Sequence, residues 1–319
     1  MVTNQAFARV LLLLFVLFSL KLPGQELFPH NEPASNVGKN VLAVRVSSET
    51  YSDLGQPRDF QYICFRFGLS SKWMLSESFF FSNHHGSLLP GNFIRPDSVH
   101  GPSTTGVARG KYYPYLFESM NLNLKYRFLA RDSEHRHFRV AAYLDLSGGN
   151  EAHAEAEPNL MGDTGGAGLG LISTLLLHKF AVSVNAGGIL PSPYQEAVTG
   201  ITINYGKAAY LNLSMGYLLF PRVYSSYKQL NVNLYAEFQC MTYGGAVITD
   251  NGASIRIVDA PALQANSYIE FRPSVQFIIR SNMRLDLSLG IPVYGRSWNY
   301  TCPVYFVTLQ QAVFFKDGK

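Results

Sequence analysis

The feature that most constrains this chain is an apolar–polar alternation of period two that returns about twelve times after residue 38. In 229–241 (QLNVNLYAEFQCM), Gln229, Asn231, Asn233, Tyr235, Glu237 and Gln239 alternate with Leu230, Val232, Leu234, Ala236, Phe238 and Cys240. Successive side chains of a strand point to opposite faces, so this segment has one polar and one wholly apolar face. In 118–128, Ser119, Asn121, Asn123, Lys125 and Arg127 alternate with Met120, Leu122, Leu124, Tyr126 and Phe128. The pattern recurs in 137–147 and in 283–291, where Arg284, Asp286 and Ser288 stand between Met283, Leu285, Leu287 and Leu289. Further strands are expected over about 39–49, 59–69, 73–82, 166–177, 180–190, 207–219, 262–280 and 302–315.

Connection lengths alternate as well. Short turns fall at 70–72, 130–136, 178–179, 221–228 and 281–282, and long loops near 50–58, 84–112, 148–164, 191–206, 243–261 and 294–301. Both ends of the strand array therefore lie on the short-turn side. This is the pattern of an outer-membrane barrel, with an even strand number, short periplasmic turns and longer extracellular loops. A soluble sandwich also alternates, but its charged faces point to water and its apolar faces share one small core. Here only 15% of residues are charged and 47% are hydrophobic. Pointed inward, twelve such apolar faces would overfill any core; pointed at lipid, they need none. Tyr112, Tyr113, Tyr115 and Phe117 before one strand, Tyr126 and Phe128 at its end, and Phe314 and Phe315 at the last strand would form interfacial girdles.

Residues 1–24 read as a cleaved export signal: Arg9 precedes the apolar run Val10–Leu20, and Pro23-Gly24 offers a cleavage site. The run is shorter than the roughly 20 residues that cross a bilayer as a helix. The expected organisation is then a periplasmic N-terminal segment at 25–38, a barrel at 39–315 and a tail at 316–319. The net charge of +4 falls to +2 without Arg9 and Lys21, and no basic tract appears, which excludes a nucleic-acid binder. Three cysteines, Cys64, Cys240 and Cys302, specify no disulfide framework.

The mature start ELFPHNEPASNVGKNVLAVRV, the segment FFFSNHHGSLLPGNF and the stretch GYLLFPRVYSSYKQLNVNLYAEF resemble Gram-negative outer-membrane β-barrels of the transporter type. They are similar to the outer-membrane proteins of phenol meta-cleavage pathways. The resemblance covers most of the mature chain and contains no catalytic signature. It implies an outer-membrane barrel that takes up or expels small, apolar molecules, and it assigns no binding residues.

Within such a barrel the polar faces line the lumen. Lys125, Arg127, Arg139, Arg280 and Arg284 fall at strand ends next to short turns, and Arg66 joins them. Asp145, Glu237 and Glu270 lie toward the long loops, and Asp286 is the low-lying acid. One reading is a network of buried ion pairs that satisfies the interior. The other is a basic constriction that favours anions. The 84–112 loop, rich in Pro and Gly, would narrow the entrance, with Phe93 and Ile94 as an apolar gate.

Other chemistry is thinly signalled. His84, His85, His100 and His153 are outer-loop candidates for a transition metal, at spacings that match no established site. Ser82-Asn83-His84-His85-Gly86 carries residue types of a lipid hydrolase at the barrel rim, with His84 or His85 as base, but no orienting third group. The Gly-rich stretch 162–173 lacks the Lys-Ser/Thr ending of a phosphate loop and suits close turning into the lumen. The expected function is passage of small apolar or anionic solutes across the bacterial outer membrane, with membrane lipid as partner and no cofactor. The alternatives are a lipid-acting enzyme and a closed structural or surface-binding barrel.

Overall fold

The computed structural model describes residues 28–53, 56–84, 114–149, 155–196, 200–223, 226, 228–255, 261–295 and 304–315. Sixteen strands occur among them. They are β1 (Val41–Asp53), β2 (Gln56–Gly68), β3 (Trp73–Ser82), β4 (Leu116–Ser133), β5 (Arg136–Ser147), β6 (Gly166–Leu177), β7 (Phe180–Pro191), β8 (Tyr194–Gln195), β9 (Ile201–Asn204), β10 (Ala208–Phe220), β11 (Asn231–Tyr243), β12 (Val247–Asp250), β13 (Ala253–Ile255), β14 (Asn266–Ile279), β15 (Met283–Tyr294) and β16 (Val304–Phe314). Twelve of these close one antiparallel barrel, and β8, β9, β12 and β13 form a separate four-stranded sheet. Closure is made by β1 against β16, from Val41 opposite Phe314 to Thr50 opposite Tyr305.

The alternation does what the sequence requires. Leu144, Leu171, Leu211, Leu234, Leu289 and Val307 are exposed on the outer wall, whereas Ser76, Asn121, Thr174, Asn185, Gln276 and Thr308 are buried inside. A one-residue slip in any strand would exchange the two sets, so each register is strongly specified. An apolar belt around a whole wall far exceeds the patches that a soluble monomer exposes. Aromatic pairs mark both ends of it: Trp73 stacks on Tyr126 at 4.5 Å near the short turns, and Phe81 meets Phe117 at 5.6 Å near the long loops.

Inside, tyrosines lie over glycines on the neighbouring strand. Tyr143 is opposite Gly170, Tyr210 opposite Gly187, and Tyr235 opposite Gly216. A Cβ at Gly170 would meet the Tyr143 hydroxyl at 2.5 Å, and one at Gly187 or Gly216 would strike its tyrosine closer still. The missing side chains are what allow the rings to lie flat against the wall.

Two expectations are corrected. The 50–58 connection is not a long loop, because β1 and β2 stay paired out to Asp53 opposite Gln56. Thr50, which donates to Asp59 at 2.7 Å, helps to hold the extended hairpin. The N-terminal segment, in turn, does not hang outside the barrel. Residues 28–38 run into the lumen, where backbone groups as far apart as the Phe28 carbonyl and the Ala34 N–H bond to Arg284 and Thr174 of the wall.

At the long-loop end, the connections carry structure of their own. The 191–206 segment, expected as a long loop, contributes two short strands, and β9 pairs with β8 and β12. Ala156, Leu160, Ile189, Tyr194, Ile203, Ile248 and Leu263 pack there into an apolar cluster. Burial of this kind stabilises by roughly 25 cal/mol per Å² of apolar surface. Residues 155–165 are thereby drawn down onto the wall.

Candidate functional site: two inserts in the lumen

The N-terminal insert is gripped along its length. Lys125, fully buried, donates to Glu32 Oε1 at 2.6 Å and to the carbonyls of Pro33 at 2.8 Å and Ser35 at 2.7 Å. Arg66 pairs with the other Glu32 oxygen at 3.0 Å. Burial disfavours the Glu32 carboxylate, but the charges of Arg66 and Lys125 outweigh it and hold its pKa well below the usual range. Arg284 donates to the Phe28 carbonyl at 2.9 Å, Arg45 to that of Pro29 at 3.4 Å, and Arg139 to the Ser35 hydroxyl at 3.0 Å. Glu237 accepts the backbone N–H groups of His30 and Asn31, at 3.1 and 3.0 Å. Asn31 also donates to Ser214 at 2.7 Å.

The path follows from these partners. Gly38 lies against Val41 and Gly68 at the short-turn rim, His30 and Asn31 reach Glu237 in the middle of β11, and Phe28 returns to Arg284 near the start of β15. The described segment enters at the short-turn end, reaches the middle of the barrel and turns back toward that end. Phe28 is seated against Ala181 and Tyr235, its ring 5.6 Å from the tyrosine.

Of the basic residues singled out by position, Arg66, Lys125, Arg139 and Arg284 converge on this insert. Arg127 and Arg280 do not. Arg127 caps the Ser71 carbonyl at 2.6 Å, at the rim, and Arg280 is exposed in the turn itself with a φ of 52°. Arg280 lies in a turn, where alternation ends and parity no longer predicts direction, whereas Arg127 keeps its parity, opposite buried Ala141, but reaches the rim instead of the insert. Asp145 is bound by Asn123 at 2.9 Å, Asp286 by Arg284 at 2.6 Å, and Glu270 by Arg272. Arg272 was missed by the sequence reading. It also reaches His30 Nδ1 at 3.3 Å and lies 4.7 Å over the Phe306 ring. The signal was present: Glu270, Arg272, Ser274 and Gln276 alternate strictly with Ile269, Phe271, Pro273, Val275 and Phe277, which sets Arg272 on the inward face.

The second insert, residues 155–165, enters from the opposite end. Tyr268 donates to Glu157 at 2.6 Å, Asn121 to the Leu160 carbonyl at 3.3 Å, and Ser119 to that of Gly162. Here Ser82 and His84, noted as residue types of a hydrolase, acquire the third group that the sequence lacked. Ser82 Oγ is 2.5 Å from His84 Nδ1 and 2.6 Å from Glu118 Oε1, and His84 Nε2 is 3.4 Å from Asp163 Oδ2. The set faces the lumen, not the lipid rim, and Ser82 is fully buried. It joins β3, β4 and the insert. Glu118 turns inward because the register shifts between Phe80 and Phe81, which makes it the extra residue of a bulge.

Phe93 and Ile94 of the expected gate, with His85, His100 and His153, lie outside the described residues. Among the described residues, no group of three or more His, Cys, Asp or Glu is arranged to hold a metal. Cys64 is buried and Cys240 half-buried, and both are free thiols.

No protein-family model matches the chain, and neither does any curated protein sequence. Solved structures do. An outer membrane channel from Pseudomonas putida F1 superposes with a TM-score of 0.58 at 12% identity, over 90% of this chain and 100% of that one. At that identity the likeness fixes the fold. The NanC porin (TM-score 0.44, 7% identity, 86% of this chain and 100% of that one) is more distant. So is the KdgM porin (0.40, 9%, 84% and 98%). Neither carries an argument here.

Proposed function

We propose that this chain is a barrel of the bacterial outer membrane that passes small solutes, and that residues 28–38 form the constriction of the route. The observation that carries this reading is the insert itself. A purely structural barrel has no need to place residues 28–38 in its lumen and to commit buried cations to holding them. The apolar outer belt and the likeness in fold to a bacterial outer-membrane channel support the location.

The solute class follows from how the cations are used. A ring of free Arg and Lys would favour anions. Lys125, Arg66, Arg45 and Arg284 are instead neutralised by Glu32 and Asp286 or spent on carbonyls. Small neutral or apolar solutes suit such a route better than anions do, in keeping with the resemblance to barrels of aromatic-degradation pathways. Nothing in this reading requires an enzyme: the Ser82–His84–Asp163 set ties the outer insert to the wall.

The test is conductance of the refolded chain in planar bilayers, with and without residues 28–35. We expect rare or small steps from the intact protein and stable, larger ones from the deletion. Equal conductance would sink the constriction. A folded barrel that stays silent after loss of both 28–35 and 155–163 would support the closed structural alternative.

A further inference from the structure

The tip of the β4–β5 hairpin carries a second feature, on the outer wall. Inward and outward faces can be followed from β6, where Gly168, Gly170, Ile172 and Thr174 face the lumen, so that Leu175 and Leu177 lie on alternate sides of Leu176 and point outward. Phe138 is opposite Leu175 and Arg136 opposite Leu177, which turns both outward. On β4 the register shifts between Arg127 and Leu129, with Phe128 as the extra residue. That bulge reverses parity for the rest of the strand. Arg131, which would otherwise face inward, is set opposite Phe138 on the outer side, and Ser133 is opposite Arg136.

Arg131 and Arg136 are thus diagonal neighbours on one face, with Cα atoms about 7–8 Å apart by strand geometry. Both are exposed. The acids of the hairpin are placed elsewhere: Asp132 is turned inward to Arg139 at 3.1 Å and His137 at 3.0 Å, and Glu134 sits at the tip 3.7 Å from His135. The neighbouring hairpin is fastened alongside, through the His178 N–H to the His135 carbonyl at 2.8 Å and stacking of the two imidazoles at 4.6 Å. Phe128, on the barrel side of the arginines, and Leu177, directly opposite Arg136, are exposed.

We propose that this face binds the headgroup of an anionic phospholipid, its phosphate held between Arg131 and Arg136 and its acyl chains laid against Phe138, Leu175 and Leu177. Guanidinium groups match phosphate oxygens in geometry as well as charge. The apolar side chains immediately beneath them distinguish a lipid from a free anion. The inference rests on the reading of the barrel as membrane-spanning.

The test uses the mature chain refolded into phosphatidylcholine vesicles containing spin-labelled phosphatidylglycerol or spin-labelled phosphatidylcholine. Folding into the vesicles is read separately, from the heat-dependent shift in gel mobility. The motionally restricted fraction should be several-fold larger for phosphatidylglycerol. Arg131→Gln with Arg136→Gln should abolish the difference, the double lysine variant should keep most of it, and Lys72→Gln with Lys228→Gln should leave it unchanged. A barrel that inserts but shows no preference would overturn the site. Equal loss in the Lys72 and Lys228 variant would reduce it to general rim charge, and full competition by inorganic phosphate would make it an anion site without a lipid. Failure to insert into either vesicle would count against the membrane reading itself.

Discussion

The two inserts occupy the same lumen but are held by different chemistry. The N-terminal insert is gripped by charge: Lys125, Arg66, Arg45, Arg139 and Arg284 reach its carboxylate, hydroxyl and carbonyls, and Glu237 takes its amides. The outer insert is held by a phenol, an amide, a hydroxyl and the His84 imidazole, and by Leu160 and Ala156 packed into the apolar cluster. The difference reflects how each is tethered. Residues 155–165 are anchored at both ends of a loop, so much of their freedom is already lost when β5 and β6 pair. Among the described residues the N-terminal insert is continuous with the wall only at β1, and ordering it costs about 1–2 kcal/mol per residue of backbone entropy alone. Charge-assisted bonds in a low-dielectric lumen are strong enough to offset that.

Lys125→Met should break this contrast most severely. It removes three bonds and leaves Glu32 with Arg66 alone, a loss on the order of 3–5 kcal/mol for a broken buried pair. Chymotrypsin cleavage at Phe28 should become fast, while cleavage within 155–165 should not change. Glu237→Ala comes next. Two buried N–H groups lose their acceptor at about 1–3 kcal/mol each, and we expect intermittent conductance as the turn at His30 and Asn31 comes free.

Gly170→Ala acts on the wall that both inserts share. Its Cβ would press on Tyr143, which donates to Asn185 at 3.1 Å beside the seat of Ala34, and about 1–3 kcal/mol of overpacking should lower the temperature of the gel-mobility shift. Tyr268→Phe should be mildest. It deletes one bond to Glu157, worth about 1 kcal/mol, and should raise hydrogen exchange in 155–165 without altering exchange at His30 and Asn31. Equal exchange changes at both inserts would show them to be coupled and would erase the distinction drawn between them.

The same contrast sets the limits of what could be read in advance. Glu157 and Asp163 lie in a long polar loop, and nothing local shows that Tyr268 and His84 are their partners. Glu32 lies ahead of the first strand and gave no signal, and Arg45 stood on the polar face of the 39–49 strand with nothing to show what it holds. Their contacts are to residues more than 30 positions away in the chain or to backbone carbonyls, which carry no side-chain signature. Arg131 was hidden for another reason: one bulged residue at Phe128 reversed the parity on which any facing argument depends.

What the sequence determined alone is the wall. Period-two alternation, with a charge-poor face and a polar one, dictates strand, inside and outside for the twelve segments wherever no bulge intervenes, because the pleat leaves a side chain only two directions. It also placed Arg66, Lys125, Arg139 and Arg284 inward. Only the tertiary structure decided what they hold. The bonds that keep residues 28–38 in the lumen come from strands between β1 and β15 that share no proximity along the chain and are brought together only by closure of the barrel.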